Sequence, residues 1–465
     1  MKTVCENLQV PLFEAPPASP TKNSDELKRQ LKQFNYFGEA TRTIETDVLL
    51  DDGTKLSVDT FVNEFWTAQQ RRGHSLHEIS YRACFKPQLP RFFIERLTTQ
   101  PDVVYDPFLG RGTTLLEAAL LARRPSGCDA NPLSRILIRP RLQPPSFAEI
   151  AKRLSEIEFR SGDSEPADLL TFFHPDTLRE IFALRQYLLE KEAANKVDPV
   201  DDWIRMVAVN RLTGHSPGFF SAYTLPPNQA VSVESQKRIN QRRNQKPPRR
   251  KIPELILRKS EALLSDCNEE TRRTLERSCK EAMLLTKHAA STPEIETSSV
   301  SLVVTSPPFL DIVDYESDNW LRCWFCGIDP KRQKLTVLKT VDKWKSAMSD
   351  VFVELERVLK PNGYVAFEVG EVRHGTIKLE ETVVPCGVSA GLEPVLILIN
   401  DQEFTKTSNC WGIRNRVGGT NTNRIVLFRK PQSRLARHNQ KLWAYSRDQL
   451  TLPLFAMPIS GGFAT

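Results

Sequence analysis

The feature that most constrains the fold is a strand, a glycine-containing turn, a helix and a second strand in direct succession. A short apolar run from Val103 ends at Asp106, and a segment with helical apolar spacing follows from about Thr113 to Ala122. A second strand then ends at Asp129. A β-α-β unit of this length places its two strands parallel in one sheet.

Strand and helix patterns resume late in the chain. An apolar run, VSLVV, precedes Thr305, and a helix is predicted from about Trp344 to Leu359. The strand patterns GYVAFEVGE and NRIVLFRK follow. Between these two regions the chain has long, charged segments with helical periodicity. We therefore predict an α/β fold: a Rossmann-like sheet with a large, mainly helical insertion.

The same patterns divide the chain into five parts. The first is Pro-rich and polar and is predicted to be a flexible arm. The second contains a helix-like segment from Thr60 and then the β-α-β unit, and the third is the helical insertion. The predicted limits are 1–30 for the arm, 31–144 and 298–432 for the two parts of the sheet domain, 145–297 for the insertion and 433–465 for a C-terminal tail.

Composition excludes several classes of protein. Of 465 residues, 40% are apolar and 26% charged, which is typical of a globular protein. No apolar run approaches the roughly 20 residues that a membrane-spanning helix needs. Nine scattered cysteines are typical of reduced thiols and not of a disulfide framework. We therefore predict a cytoplasmic protein that does not contact membranes.

Positive charge is concentrated between Lys237 and Lys259. The net charge of +7 is modest, but this segment reads KRINQRRNQKPPRRKIPELILRK and contains one Glu. Such a run is typical of a phosphate-binding surface, and a solvated loop is an equal alternative from charge alone. The predicted DNA-binding residues are Arg242, Arg243, Lys246, Arg249, Arg250 and Lys251. An aromatic-rich loop at 214–230 is a second candidate DNA contact, with ordinary packing as its alternative.

The first chemical motif is DPFLGRGTT, which begins at Asp106 and lies between a strand and a helix. Gly110 and Gly112 allow a ligand to approach the backbone, and the following helix begins with free N–H groups. Asp129, at the end of the next strand, is placed to accept hydrogen bonds from ribose hydroxyls. The motif lacks both the Lys of a phosphate-binding loop and the third Gly of a dinucleotide-binding fold, so it favours a nucleoside with a small charged tail.

The second motif, TSPPF, begins at Thr305 and directly follows the apolar run VSLVV. Two prolines without N–H groups leave the Ser306 side chain and the Pro307 carbonyl as acceptors in a rigid turn. Acceptors that hold both N–H bonds of an exocyclic amine favour a localised lone pair on nitrogen, which can attack a methyl sulfonium in line. Phe309 would stack on a base flipped out of the duplex. The predicted catalytic residues are Ser306, Pro307, Pro308 and Phe309.

Two other groups of residues have metal-ligand types but poor patterns. His74 and His77 are more simply explained as structural histidines, and Cys323 and Cys326 as one buried face of a helix. The sequence has no second Cys-x-x-Cys pair to complete a zinc site. We predict no metal.

The strings DPFLGRGTT, CDANPLS and TSPPF together resemble those of the amino-group DNA methyltransferases. The Ser-Pro-Pro form is most similar to the cytosine-N4 branch, in which Tyr usually stands where this chain has Phe309. The segment HSLHEISYRACFKPQLP resembles the family's other cofactor-binding stretch, and VLKPNGYVAFEVGE its late strand. The cofactor motif precedes the catalytic one by nearly 200 residues, whereas many Ser-Pro-Pro members have the reverse order. This order makes the insertion the candidate target-recognition region.

The resemblance implies a function and a set of residues. It implies methyl transfer from S-adenosyl-L-methionine to cytosine N4 in double-stranded DNA, by a monomer, and leaves pairing with a restriction endonuclease open. Adenine N6 of DNA, a guanine amino group of RNA and a catalytically inert DNA-binding role are the alternatives. The residues implied to bind the cofactor are Tyr81, Asp106, Phe108, Gly110, Gly112, Thr113 and Asp129.

Overall fold

The computed structural model describes most of the chain outside its two ends. The described residues are 20–21, 23–66, 73–81, 84–159, 166–225, 230–308, 315–329, 340–372, 377–401 and 422–432. Within them, no helix is long and apolar enough to cross a membrane. The cytoplasmic location stays a prediction.

Nine strands of the described chain form one sheet, and two short strands form a separate hairpin. The strands of the sheet are β1 (Arg42–Leu49), β2 (Lys55–Asn63), β3 (Val103–Asp106), β4 (Arg124–Asp129), β5 (Met283–Thr286), β6 (Val300–Thr305), β7 (Leu359–Val369), β10 (Glu393–Asp401) and β11 (Thr422–Arg429). The hairpin pairs β8 (Glu371–Val372) with β9 (Ile377–Lys378).

In the described part of the chain, thirteen α-helices surround the sheet or build the insertion. Those near the sheet are α1 (Ser24–Lys32), α2 (Gln88–Leu97), α3 (Thr113–Leu120), α4 (Pro132–Leu142), α11 (Tyr315–Phe325), α12 (Val341–Val358) and α13 (Leu379–Ser389). The other six are α5 (Phe147–Glu156), α6 (Pro175–Ala193), α7 (Pro199–Arg211), α8 (Val233–Arg242), α9 (Ile252–Leu264) and α10 (Glu269–Cys279).

The strand order is β1-β2-β10-β11-β7-β6-β3-β4-β5, and β7 to β5 in this order run parallel. The chain leaves β3 for β4 on one side, whereas β6 and β7 lie on the other side of β3. The strand order therefore reverses between β3 and β6. In open α/β sheets, ligands bind at this position, beyond the carboxyl ends of the strands.

Both faces of the sheet are covered, which explains its continuous apolar strands. Val104, Leu302 and Val304 pack with the apolar side chains of α1 and α2. Tyr105 and Val303 point to the opposite face and pack with α12 and α13. The predicted fold class, an α/β Rossmann-like sheet with a large helical insertion, is confirmed.

Three local predictions were wrong at their limits. The first residues of the helix-like segment predicted from Thr60 are instead the end of β2, because they pair with β1 across the turn at Gly53 and with β10 on the other edge. Residues 67–72 of that segment lie outside the described residues. The sheet resumes with β5 inside the range 145–297, because this short strand completes the exposed edge of β4. Helix α1 lies partly inside the predicted arm, since Leu27 and Leu31 are buried against the sheet.

The insertion has its own apolar interior. Helix α7 packs against α4, α5 and α9. Trp203 of α7 is fully buried, and its indole N–H donates to the Ser260 hydroxyl of α9 at 2.9 Å. This interior is continuous with α4 and α11, so the helices are fixed beside the carboxyl end of the sheet.

Candidate active site

The two predicted motifs meet where the strand order reverses. Asp106 ends β3 and Thr305 ends β6, and these strands are parallel neighbours. The Thr305 hydroxyl donates to Asp106 Oδ1 at 2.6 Å, although 199 positions separate the two residues. The Thr114 hydroxyl of α3 also donates to the Val304 carbonyl, at 3.0 Å. The fold therefore joins the turn after β3, here the cofactor turn (Asp106–Thr113), to the turn after β6, here the catalytic turn (Thr305–Pro308).

Asp106 is the buried acid of this junction, with 1% of its surface exposed. Its Oδ1 also accepts the Phe108 N–H at 3.0 Å. Burial raises the pKa of Asp106 to about 7, and the hydrogen bonds from Thr305 and Phe108 oppose that rise. The carboxyl group holds both turns together and lies beneath them.

Glycine is required at the two positions of the cofactor turn for different structural reasons. Gly112 precedes α3 with φ of +80°, and a Cβ there would lie 2.6 Å from the side chain of Ile138. Gly110 has φ of +51°, but its hypothetical Cβ would meet nothing nearer than the Phe108 carbonyl at 3.8 Å. Gly112 therefore permits close packing against α4, while Gly110 leaves space above the turn.

Asp129 organises the second strand end. Its Oδ2 accepts the Gly110 N–H at 2.7 Å, and its Oδ1 accepts the Asn131 N–H at 2.8 Å. Asn131 Nδ2 lies 3.4 Å from the Tyr81 hydroxyl. Burial raises the pKa of Asp129, opposed by these backbone N–H groups. Tyr81, Gly110 and Asp129 are therefore neighbours, as their predicted shared role requires.

Arg111 fixes the segment before α2 onto the cofactor turn, and sequence reasoning missed it. Its guanidinium is buried and donates to the Ile79 carbonyl at 3.0 Å and the Phe85 carbonyl at 3.2 Å. Its Nε also donates to the Thr113 hydroxyl at 3.0 Å. The side chain of Thr113, a predicted cofactor-binding residue, therefore has a partner within the protein. The sequence signal for Arg111 was a long, charged side chain between two glycines, in a turn that could have been formed with a small residue there.

The catalytic turn contacts an acid that sequence reasoning also missed. The Ser306 hydroxyl donates to the carboxylate of Glu368, and the Asn423 side-chain amide donates to Glu368 Oε1 at 2.9 Å. Glu368 lies on β7 beside β6 and is 6% exposed. Burial raises its pKa, and the bonds from Ser306 and Asn423 oppose this. The signal was a charged residue inside the apolar strand pattern VAFEV.

A second contact fixes the far side of the turn. The fully buried Trp344 of α12 donates its indole N–H to the Pro308 carbonyl at 2.9 Å. Pro307 is buried, whereas Ser306 and Pro308 are partly exposed. The predicted stacking residue, Phe309, lies outside the described residues.

The six predicted DNA-binding residues lie on the insertion, and their contacts are with other residues of that region. Arg243 stacks 3.8 Å from the ring centroid of Tyr223. Arg249 pairs with Asp176 at 3.5 Å, and Lys251 with Glu254 at 2.7 Å. The exposed members are Arg242, Arg243, Lys246, Arg249 and Lys251, while Arg250 is partly buried.

The histidine and cysteine pairs have structural surroundings. His77 Nε2 lies 2.7 Å from Glu117 Oε1, and Cys323 and Cys326 are buried in the apolar interior next to the insertion. Among the described residues, no group of three His, Cys, Asp or Glu could hold a metal ion.

Comparison with known proteins supports the predicted resemblance to DNA methyltransferases. Residues 18–134, which include the whole cofactor turn, match the DNA methylase family. The chain is 23% identical over 302 residues to the type II methyltransferase M.BsoBI of Geobacillus stearothermophilus. It is 36% identical over 83 residues to the type II methyltransferase M.MvaI of Kocuria varians.

The predicted resemblance to the amino-group DNA methyltransferases is confirmed over residues 18–134. The predicted cofactor, S-adenosyl-L-methionine, is confirmed by the same matches. The M.BsoBI match covers 59% of this chain and 57% of that relative, and the M.MvaI match 17% and 18%. The matched regions therefore span little more than half the length of M.BsoBI and less than a fifth of M.MvaI.

A solved S-adenosylmethionine-dependent methyltransferase of Methanosarcina mazei is also similar to this chain. The likeness covers 72% of this chain and 96% of that one, at 12% identity and a TM-score of 0.29. The fold class follows from the strand order of the sheet and not from this likeness.

The cofactor turn has the space and the donor set that the family's cofactor needs. Gly110 leaves van der Waals space between Phe108 and the Tyr81 ring, whose Cε1 lies 3.9 Å from the hypothetical Cβ. The Asp129 carboxylate interacts with the N–H groups of Gly110 and Asn131 and with the Ser134 side chain, so one of its four lone pairs is left for a further hydroxyl.

Proposed function

We propose that this protein transfers a methyl group to the exocyclic N4 of cytosine in a specific sequence of double-stranded DNA. The observation that carries the proposal is the hydrogen bond from Thr305 to Asp106, because it places the cofactor turn and the catalytic turn side by side. A base in a duplex cannot reach turns at the edge of a sheet, so the target cytosine is flipped out of the helix.

The cofactor turn binds S-adenosylmethionine through groups of different chemistry. Asp129 accepts the ribose hydroxyls, the rings of Tyr81 and Phe108 lie against the nucleoside, and the backbone from Gly110 to Thr113 holds the charged methionine part. When bound, the cofactor supplies an electrophilic methyl group on a sulfonium. Asp106 acts indirectly, by fixing the turn that Gly110 and Gly112 build.

The catalytic turn binds the target amine. Because Ser306 donates its own proton to Glu368, the lone pairs of its oxygen are available to accept an N–H bond of the amine. The Pro307 carbonyl accepts the other N–H bond. The nitrogen then gains a methyl group and loses one proton, which moves to Ser306 as the Ser306 proton moves to Glu368. Phe309 stacks on the base.

The helical insertion binds the DNA and recognises its sequence. We assign residues 145–297 to this role and 31–144 with 298–432 to catalysis, with residues 1–30 and 433–465 outside both. Five of the six predicted basic residues are exposed on the insertion, as phosphate contacts require. The protein acts as a monomer, because one base is flipped at a time. The names of the relatives, type II methyltransferases, favour a restriction endonuclease as functional partner.

Methylation of adenine N6 is the second candidate, because the same acceptors suit either exocyclic amine. The hydroxyl of Ser306 favours cytosine, since the adenine-specific branch more often has Asp at this position. Both reactions use the same residues and differ only in the base.

Methyl transfer by the purified full chain tests the proposal. With labelled S-adenosylmethionine, we expect label in double-stranded DNA and none in RNA. Ser306→Ala should abolish the transfer. Ser299→Ala, which changes a partly exposed serine directly before the opposite end of β6, should not change it. Label in RNA alone, or full activity of Ser306→Ala, would refute the proposed role of the catalytic turn.

A further inference from the structure

Three cationic side chains from three helices converge beside Ser80, and the proposed chemistry uses none of them. Arg211 ends α7, Lys259 lies on α9 and Arg322 on α11. Arg322 is 8% exposed, and the side chain of Lys259 is 12% exposed. Cations this buried need a counter-charge or a ligand, because desolvation of a charge is costly.

The guanidinium groups of Arg211 and Arg322 both bond to one pair of residues, in which the Asn210 side chain is hydrogen-bonded to the Ser80 backbone. Asn210 Oδ1 accepts the Ser80 N–H at 2.9 Å, and Asn210 Nδ2 donates to the Ser80 carbonyl at 3.0 Å. Arg211 Nη2 donates to the same Asn210 Oδ1 at 3.2 Å, and Arg322 Nη2 to the same Ser80 carbonyl at 3.2 Å. The buried pair therefore brings together two positive charges that repel each other.

The counter-charges of this cluster are incomplete. Lys259 lies 3.6 Å from Glu78, and Arg322 interacts with the buried Asp318. Arg211 has no carboxylate partner among the described residues: its Nε and Nη2 bond only to Asn210. Among the described residues, Lys259 and Arg322 each have a nearby carboxylate, whereas the charge that acts on Arg211 is the like charge of Arg322.

The effect on protonation agrees with this imbalance. Burial, together with the charge of Arg322, lowers the pKa of Arg211 to about 10. Burial and the charge of Arg211 likewise lower the pKa of Lys259 to about 8, although Glu78 opposes that shift. A bound anion would relieve these unfavourable interactions.

The cluster adjoins the proposed active site. The guanidinium of Arg322 lies 5.7 Å from the ring centroid of Tyr81, the aromatic residue that faces Gly110. Arg211 stacks at 4.0 Å on Phe219, in the aromatic loop that the sequence marked as a candidate DNA contact. The cluster therefore lies between the cofactor turn and the insertion.

We infer that Arg211, Lys259 and Arg322 bind one phosphodiester group of the DNA strand that carries the target base. This inference rests on the proposed function. Arg211 has one terminal nitrogen, Nη1, without a hydrogen-bond partner among the described residues, and a guanidinium suits phosphate oxygens. A phosphate fixed here anchors the backbone beside a flipped nucleotide.

The cofactor carboxylate is the competing anion, and the observations favour DNA. Two of the three cations, Arg211 and Lys259, belong to helices of the insertion and not to the cofactor turn. Tyr81 and Ser80 lie between Arg211 and the turn at Gly110. An anion bound by α7 and α9 lies against the insertion, the region assigned to DNA binding.

The test is the salt dependence of DNA binding by the full chain. The probe is a fluorescein-labelled mixed-sequence duplex of 30 base pairs, measured by anisotropy between about 50 and 200 mM NaCl. Each phosphate contact contributes about 0.9 to the slope of log K against log salt concentration. We expect Arg211→Gln to lower that slope by about 0.9, and Arg211→Lys to retain most of it.

Controls separate this site from general charge and from folding. Arg277→Gln removes the same charge from an exposed position of α10 and should change the slope little. Lys259→Gln gives an independent test if Arg211→Gln does not fold. S-adenosylmethionine affinity, measured by calorimetry, should be unchanged in both cluster variants.

The outcomes are distinct. An unchanged slope in the cluster variants, or an equal loss in Arg277→Gln, overturns the inference. Weaker S-adenosylmethionine binding with an unchanged slope assigns the cluster to the cofactor and also overturns it. A wild-type protein that binds DNA with the expected slope but methylates no base would refute the proposed function and leave the phosphate site standing.

Discussion

The cofactor turn and the catalytic turn lie side by side, but they are built from different distances along the chain. Apart from the bond between Asp106 and Thr305 that joins the two turns, the cofactor turn is held by residues nearby in the sequence: Asp106 bonds to Phe108, 2 positions away, and Gly110 bonds to Asp129, 19 positions away. The catalytic turn bonds to Trp344, 36 positions on from Pro308, and to Glu368, which lies further still and itself accepts a hydrogen bond from Asn423. A locally bonded turn can be recognised from its own sequence, whereas a turn with distant partners needs the fold.

The largest effect should come from the packing of the cofactor turn. Gly112→Ala places a Cβ 2.6 Å from Ile138 at a φ of +80°, so we expect a loss of about 3 kcal/mol in the free energy of unfolding. Urea denaturation measures it. Gly53→Ala is the matched control, because its φ is +82° but nothing lies within 4 Å, and it should cost about 1 kcal/mol. Equal costs would show that packing against α4 is not the reason for Gly112.

The next effect tests the distant partner of the catalytic turn. Glu368→Gln keeps the shape of the side chain but weakens the acceptor for the Ser306 proton, so kcat should fall about 100-fold, or ~2.7 kcal/mol. The KM for S-adenosylmethionine should not change. A lower affinity for the cofactor with an unchanged kcat would contradict this role and would indicate that Glu368 supports the cofactor turn.

The pH profile gives the same residue a second readout. Burial raises the pKa of Glu368, so protonation begins above the usual range of a glutamic acid. Because the protonated form no longer accepts from Ser306, the wild-type rate should fall as pH falls through that raised pKa. Glu368→Gln should lack this acid limb, and an identical limb in both proteins would exclude Glu368 as its source.

A third effect concerns the support beneath the cofactor turn. Burial lowers the pKa of His77 to about 4, against 6.5 for an ordinary histidine, although its bond to Glu117 opposes the shift. The unfolded chain therefore binds more protons between these values, so folding stability falls as pH falls from 6.5 towards 4. We expect this residue to contribute a loss of about 2 kcal/mol between pH 7 and pH 5. His77→Gln should show a shallower pH dependence in urea denaturation; an equal dependence would contradict the neutral, buried His77.

The smallest effect tests the ribose acid. Asp129→Asn keeps one acceptor oxygen but loses the charge, so S-adenosylmethionine should bind about tenfold more weakly, or ~1.4 kcal/mol. Calorimetry measures the affinity. Asp47→Asn, on the hairpin strand β1, is the control. Unchanged affinity in Asp129→Asn would remove Asp129 from the cofactor site.

The sequence predicted the elements that have strong local patterns and missed those that depend on distant contacts. The strands ending at Asp106, Asp129 and Thr305 have strong local patterns, and the structure has each of them. β1, β5 and β10 were missed. β1 is mostly exposed and β5 has four residues, so neither has a clear periodic signal, and β10 gains its place through pairs with β2 and β11.

The site divides in the same way. Gly110, Gly112 and Asp129 could be predicted because their roles depend on neighbours in sequence. Arg111 and Glu368 could not, since each is explained only by groups that the fold brings close: the carbonyls of the segment before α2, and the hydroxyl of Ser306. Charged residues inside otherwise apolar segments are the remaining sequence signal for such positions.

The most direct test of the central claim is the identity of the methylated base. The full chain would be expressed in a host without DNA methylation, and its genomic DNA digested to nucleosides for mass spectrometry. We expect N4-methylcytosine with the wild-type protein and none with Ser306→Ala. N6-methyladenine in its place would contradict the cytosine assignment, and the absence of both bases with a folded protein that binds S-adenosylmethionine would contradict the proposed activity.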